Sequence, residues 1–230
     1  MELQISKDEL KEYLARQLDV FFPDGMHMDG SDVDSAFELG LDRTEHCFKC
    51  ITFPTYSNEK GETFFSHLHA DQYAQFLYFF SNSLWKISEN KAICDKILNL
   101  NRLLNGFFLS YKCKLPDYFF LGHPVGSIIG NAVYSDYLVI FQNVTINTDQ
   151  KEDGSPAPEI GKGVFFGAGS KVIGNKRIGD RVSLSVDAMV YDKEIPDDSV
   201  VIRGDSGETI IKKRTKEKCM AQNYFRDIIN

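Results

Sequence analysis

From residue 128 onward an aliphatic or aromatic residue returns every six positions. The series is Ile128, Tyr134, Ile140 and Ile146, then, after a break at 147–159, Ile160, Phe166, Val172, Ile178, Leu184 and Val190. Helices repeat every 3.6 residues and strands every two, so neither alone produces such a spacing. The residue after the apolar one is often small, as at Gly161, Gly167, Gly179 and Ser185, and four positions on come Leu138, Val144, Val164, Val182 and Ala188. A six-residue repeat predicts a parallel β-helix in which each repeat is one short side. The repeating side chain points inward and stacks on its equivalents, while the small neighbour lets the chain turn a corner. The polar run Asn147–Ser155 keeps no such register and is expected as a loop extruded from the coil, a place where function tends to sit.

The first hundred residues follow a different period. Ser6 with Glu9 forms a capping box ahead of Leu10, Leu14, Leu18 and Phe21, and Pro23 and Gly25 end that helix. Ser31 starts a second, with Val33, Phe37 and Leu41 on one face. Residues 71–87 carry a wide apolar stripe, and residues 91–104 form a fourth helix that Gly106 can cap. The organisation predicted is α+β. A helical N-terminal domain spans 1–106, a β-helix spans 107–205, and a basic tail and helix span 206–230.

Charge narrows the partners. Residues 1–50 hold 12 acidic against 5 basic side chains, and the remainder is balanced at 21 of each. Nothing here resembles the basic footprint of a nucleic-acid binder. The one basic cluster, Lys212, Lys213 and Arg214 with Lys216 and Lys218, is short but suited to a phosphorylated ligand. No apolar run reaches the roughly 18 residues of a membrane span. The charged start MELQISKDELKEYL is unlike a signal peptide, and five cysteines fit reduced thiols, so a cytoplasmic setting is expected.

Several stretches together resemble the hexapeptide-repeat acyltransferases, above all the serine acetyltransferase group. They are Gly122-His123-Pro124-Val125-Gly126-Ser127-Ile128-Ile129-Gly130, Phe141-Gln142-Asn143-Val144-Thr145-Ile146, Pro158-Glu159-Ile160-Gly161, Gly167-Ala168-Gly169-Ser170 and Ile195-Pro196. The resemblance covers roughly residues 70–205, and the run Leu115–Leu121 is similar to relatives found in capsule and O-antigen clusters. It implies a left-handed β-helix, assembly as a homotrimer or a multiple of it, and acetyl-CoA as the acyl donor. On the same footing, His123 is the general base, and Gly167, Ala168, Gly169, Ser185 and Val186 line the donor's arm. Lys212 and Lys213 reach toward its phosphates, and Asp117 and Asn143 face a small-molecule acceptor.

The residues support part of this independently. Imidazole titrates near neutral pH, which suits it to take a proton from a hydroxyl attacking a thioester, and His123 is the one histidine in the repeats. Asp117 or Asp136 could orient it. Two positions depart from the serine enzymes' pattern: Gly122 stands where they carry Asp, and Pro156-Ala157 where they carry Arg-His. A serine carboxylate needs a cation or several donors, so these departures argue against serine. The function expected is direct O- or N-acetyl transfer to a sugar or nucleotide sugar of surface polysaccharide biosynthesis. The alternatives are a serine O-acetyltransferase of cysteine biosynthesis and a non-catalytic trimeric scaffold. The Cys47-x-x-Cys50 spacing is right for zinc, but His67-x-His69 is unlike the usual histidine spacing and the two cysteines can share one apolar helix face, so no metal is expected.

Overall fold

The Ser6 hydroxyl accepts from the Glu9 amide while the Glu9 carboxylate accepts from the Ser6 amide at 2.8 Å, closing the capping box read from the sequence. The computed structural model describes residues 1–230, which divide into two units. One comprises residues 1–49 and 53–112, the other residues 50–52 and 113–230. Four helices build the first unit: α1 (Lys7–Phe21), α2 (Ser31–Lys49), α3 (Ala70–Ser88) and α4 (Lys91–Asn105). Helix α3 is its centre. Every residue from Asp71 to Leu84 is buried, with α2 and α4 packed against it and Phe37 edge-on to Phe76 and Phe80. No helix is long and apolar enough to cross a membrane.

The second unit is the coil, and the hydrogen-bond register confirms the sequence period. One face stacks Phe119–Leu121, Leu138–Ile140, Phe165–Phe166, Ser183–Leu184 and Ser199–Arg203, all parallel. A second stacks Ile128–Ile129, Thr145–Ile146, Lys171–Ile173 and Met189–Tyr191. The third runs through Tyr134, Ile160, Ile178 and Ile195. The inward residues are nearly all inaccessible, from Ile140, Phe166 and Leu184 to Ile146, Val172 and Ile178. The architecture is thus an α+β chain with a left-handed parallel β-helix. One register position differs from the six-residue count. Ile129 pairs with Ile146 and is buried, whereas Ile128 pairs with Thr145 and is exposed. The side that holds Gly122–Ser127 is therefore longer than a regular hexapeptide, and the next side, Ile129 to Tyr134, is one residue short.

The extruded segment is a small hairpin in which Asp149–Gln150 pairs antiparallel with Pro156–Ala157. The division between units falls after Lys112, and the chain beyond 205 belongs with the coil. Thr209–Lys213 pairs antiparallel with Ser199–Arg203, covering the edge of the last rung, and the later helical piece is one 3-10 turn, Met220–Asn223. Residues 219–230 then run back along the outside of the coil. There Phe225 bridges Ile51, and Asp227 accepts from the Tyr137 hydroxyl at 3.1 Å and the Cys50 thiol at 3.2 Å. Burial and the neighbouring Asp227 push that thiol up to about 12. None of the five cysteines forms a disulfide.

Candidate active site

Each rung turns its corner with a residue in the left-handed backbone region. One corner stacks Gly126, Asn143, Gly169 and Asp187, with φ of 78°, 56°, 72° and 56°. Hydrogen bonds tie each to the rung before it: the Asn143 amide donates to the Val125 carbonyl, Gly169 to Gln142 and Asp187 to Ala168. Glycine, asparagine and aspartate tolerate this geometry best. Asn143 and Gly169, expected at the acceptor and the donor, are thus corner residues of one structural column. The Asn143 side chain lies over Gly126 and the Asp187 side chain over Gly169, so a Cβ at either glycine would collide.

His123 stands apart from that column. It too has positive φ, 48°, yet lies in the tight loop where the Val125 amide donates to its carbonyl at 2.7 Å and Ser127 to Pro124 at 3.0 Å. Gly122 and Pro124 on either side are buried while His123 is exposed. A non-glycine residue held there by buried neighbours is a strained position, and such strain gathers at functional sites. The imidazole stands at the head of a cavity of about 560 Å³ that follows the first face from rung to rung. Phe141 and Gln142 line it next, then Phe165, Gly167 and Ala168, then Ser183 to Val186, and finally Val200 with Met220 from the tail.

The structure therefore brings together His123, Gly167, Ala168, Ser185 and Val186, all named from sequence. Lys212 pairs with Val200, a lining residue, and by strand alternation shares its face, whereas Lys213 pairs with Ser199 and points to the other. Arg214 is spent on structure, its guanidinium 2.5 Å from Asp198, which also takes two bonds from Arg181 at 2.8 and 3.0 Å. Asp117 and Asp136 require a correction. They line a separate cavity of about 490 Å³ with Lys114, Lys162 and Asp180, and His123 is not part of it. Asp136 serves the backbone, accepting from the Asp117 and Tyr118 amides at 3.1 and 3.2 Å. The reason is positional, since both precede or form the opposite corner of the rung.

Gly122 has a physical explanation. A Cβ there would sit 2.8 Å from the Phe141 ring and 3.0 Å from that of Phe120. Those rings belong to an aromatic cluster with Phe165 and Tyr224, the tyrosine centroid lying 5.2–5.7 Å from the other three. Burial raises the Tyr224 hydroxyl above its ordinary value. An acidic side chain before His123 is thus replaced by an apolar wall, and position 122 must stay bare.

Sequence reasoning missed Gln142, Ser183, Val200 and Met220. Ser183 and Val200 were accessible in principle, because each precedes an inward aliphatic, Leu184 or Val201, and so faces outward on the same wall, whereas Gln142 precedes the corner residue Asn143 and is not marked in this way. Met220 has no such signal, since the repeat ends before it.

A groove along one face of a hexapeptide coil, headed by a strained histidine and floored by small corner residues, places the chain among left-handed parallel β-helix proteins by fold. The chain resembles the serine acetyltransferases. It is 32% identical over 120 residues to the serine acetyltransferase of Synechococcus elongatus, covering 51% of this chain and 49% of the relative. The chain spans about half the length of the curated relatives it matches. Among solved structures, the serine acetyltransferase of Vibrio cholerae superposes with a TM-score of 0.68 at 20% identity, over 94% of this chain and 82% of the other. A serine acetyltransferase in complex with CoA gives 0.59 at 15% identity, over 89% and 95%. At these identities the likeness is one of fold. No family model matches the chain.

Proposed function

We propose that this chain is an acetyl-CoA-dependent acetyltransferase acting by direct transfer, with His123 as general base. The observation that carries the reading is the exposed, strained His123 at the head of a groove whose floor is Gly167-Ala168 and Ser185-Val186. The relatives' names and the neighbour solved with CoA support it. The residues present suit such a donor. Apolar walls of Phe141, Phe165, Val186 and Val200 would shelter the arm, and bare corners let it approach the main chain. The donor supplies a thioester carbonyl. His123 takes the acceptor's proton as its oxygen or nitrogen attacks that carbon, the C–S bond breaks, and the imidazolium returns that proton to the departing sulfur, so that CoA leaves as the thiol and the base is restored.

For the acceptor, the relatives favour the hydroxyl of serine over the polysaccharide sugar expected from the sequence. A second reading, a hydroxyl or amine acceptor without an α-carboxylate, is favoured by the aromatic rings against Gly122 and by Pro156-Ala157 in the hairpin. Assembly as trimers belongs to the same proposal. Thiol release from acetyl-CoA, measured against serine, amino sugars, hexoses and nucleotide sugars, separates the two. Saturable release with serine alone selects the first reading, release with a sugar selects the second, and none with any acceptor overturns the enzyme in favour of a scaffold. His123→Ala is expected to lower kcat about 10²–10⁴-fold with CoA affinity unchanged. A loss below tenfold would remove His123 from the role.

A further inference from the structure

Buried polar atoms almost always find hydrogen-bond partners. Along the groove two do not: the Gln142 Oε1 and the Ser183 Oγ, the latter on a residue only 3% exposed. Both line the cavity below His123, and neither contributes to the coil's ladders through its side chain. Leaving such an atom dry costs free energy, so a fold that keeps two on one apolar wall has a use for them. We infer that Gln142 and Ser183 are the side chains that read the two amides of the donor's pantetheine arm, an assignment that rests on the reading above.

The spacing fits. Rungs of a parallel coil lie ~4.8 Å apart. Gln142 turns the corner one rung after His123, and Ser183 lies three rungs after it, ~14 Å along the axis. An extended chain advances ~1.2 Å per bond, which places the first amide nitrogen of the arm ~4 Å from the sulfur and the second carbonyl ~10 Å from it. With the thioester at His123, the first amide N–H falls level with Gln142 Oε1, an acceptor. The second carbonyl carbon stops ~4 Å short of Ser183 along the axis, and its oxygen, carried ~1.2 Å further when the C=O bond tilts that way, comes within hydrogen-bond reach of the Ser183 hydroxyl, a donor. Ser183 stands in the outward column between Phe165 and Val200, so its hydroxyl is the one polar break in that stretch of wall.

The test uses the full-length protein and reads binding and stability separately. Affinities for CoA and for pantetheine are measured by calorimetry for wild type, Gln142→Leu and Ser183→Ala, with urea midpoints taken without ligand. Each substitution is expected to weaken CoA about 2- to 12-fold, the worth of one neutral hydrogen bond, and pantetheine by the same factor. The ligand-free midpoint should hold or rise, because a buried orphan atom has been removed. Loss for CoA but not pantetheine, unchanged affinity for both, or a midpoint that falls in step with affinity would each overturn the assignment. Wild-type protein that binds no CoA would overturn it together with the function it rests on.

Discussion

At position 122 the absence of a side chain is the informative fact. The Phe141 and Phe120 rings occupy the volume a Cβ needs, so Gly122→Ala forces overpacking into a buried corner at a cost of about 1–3 kcal/mol. In a Phe141→Leu background the same change should cost less, and a double-mutant cycle in urea would show coupling of about 1 kcal/mol. Additive costs would mean the rings do not exclude the side chain. The place of His123 in a tight loop beside the coil was legible in the sequence because it is the one histidine in the repeats and its neighbours Pro124 and Gly126 announce a turn. Gln142 and Ser183 were not, since whether a polar atom is orphaned depends on partners that only three-dimensional packing reveals. Asn143 and Gly169 read as ligand contacts in the motif but serve the turn, the same residue types answering both demands.

Among the elements, the rungs were readable to within one residue and the tail was not. The hexapeptide count fails only at Ile128, where the His123 loop replaces a regular corner. Beyond Val190 no period remains to show that Thr209–Lys213 returns antiparallel. That pairing divides the basic cluster by function. Lys212 shares the face of Val200 at the groove's far end, so Lys212→Ala should weaken CoA more than dephospho-CoA, an effect that added salt diminishes. Lys213→Ala, on the opposite face, should treat the two alike; equal losses from Lys212→Ala would remove it from the phosphate. Arg214 instead joins Arg181 on Asp198, holding that carboxyl well below its ordinary range through two hydrogen-bonded guanidinium groups. A depressed folded pKa lends stability that is complete above the unfolded value of about 3.9 and drains as pH falls toward the folded one. The urea midpoint of wild type should therefore drop more between about pH 5 and pH 2 than that of Asp198→Asn. The difference will be modest, because the carboxylate is 31% exposed and solvent screens it. Parallel pH profiles for the two proteins would assign the corner's stability elsewhere.

For the molecule as a whole, every wall of the groove headed by His123 comes from one face of one coil and its own tail, which would leave a long ligand covered on one side only. The second face of the coil presents the complement of that need. Its outward column pairs Ile128 with Thr145, Lys171 and Met189, with Ile128 46% and Met189 48% exposed and Tyr191 beside them at 71%. The Lys171 ammonium folds back onto the Gly169 carbonyl at 2.8 Å, leaving its methylene stem on the surface. In the proposed trimer, cyclic symmetry would let this face meet the groove of the next copy. Sedimentation equilibrium should therefore return at least three times the 26.2 kDa chain mass. Ile128→Glu with Met189→Glu puts two like charges on that column without touching the groove's own lining. It should release 26.2 kDa monomers with their helices intact by circular dichroism and with CoA affinity lowered alongside the mass. A wild-type monomer at micromolar concentration would refute the assembly. Monomeric variants that bind CoA as wild type does would show instead that one chain alone completes the donor site.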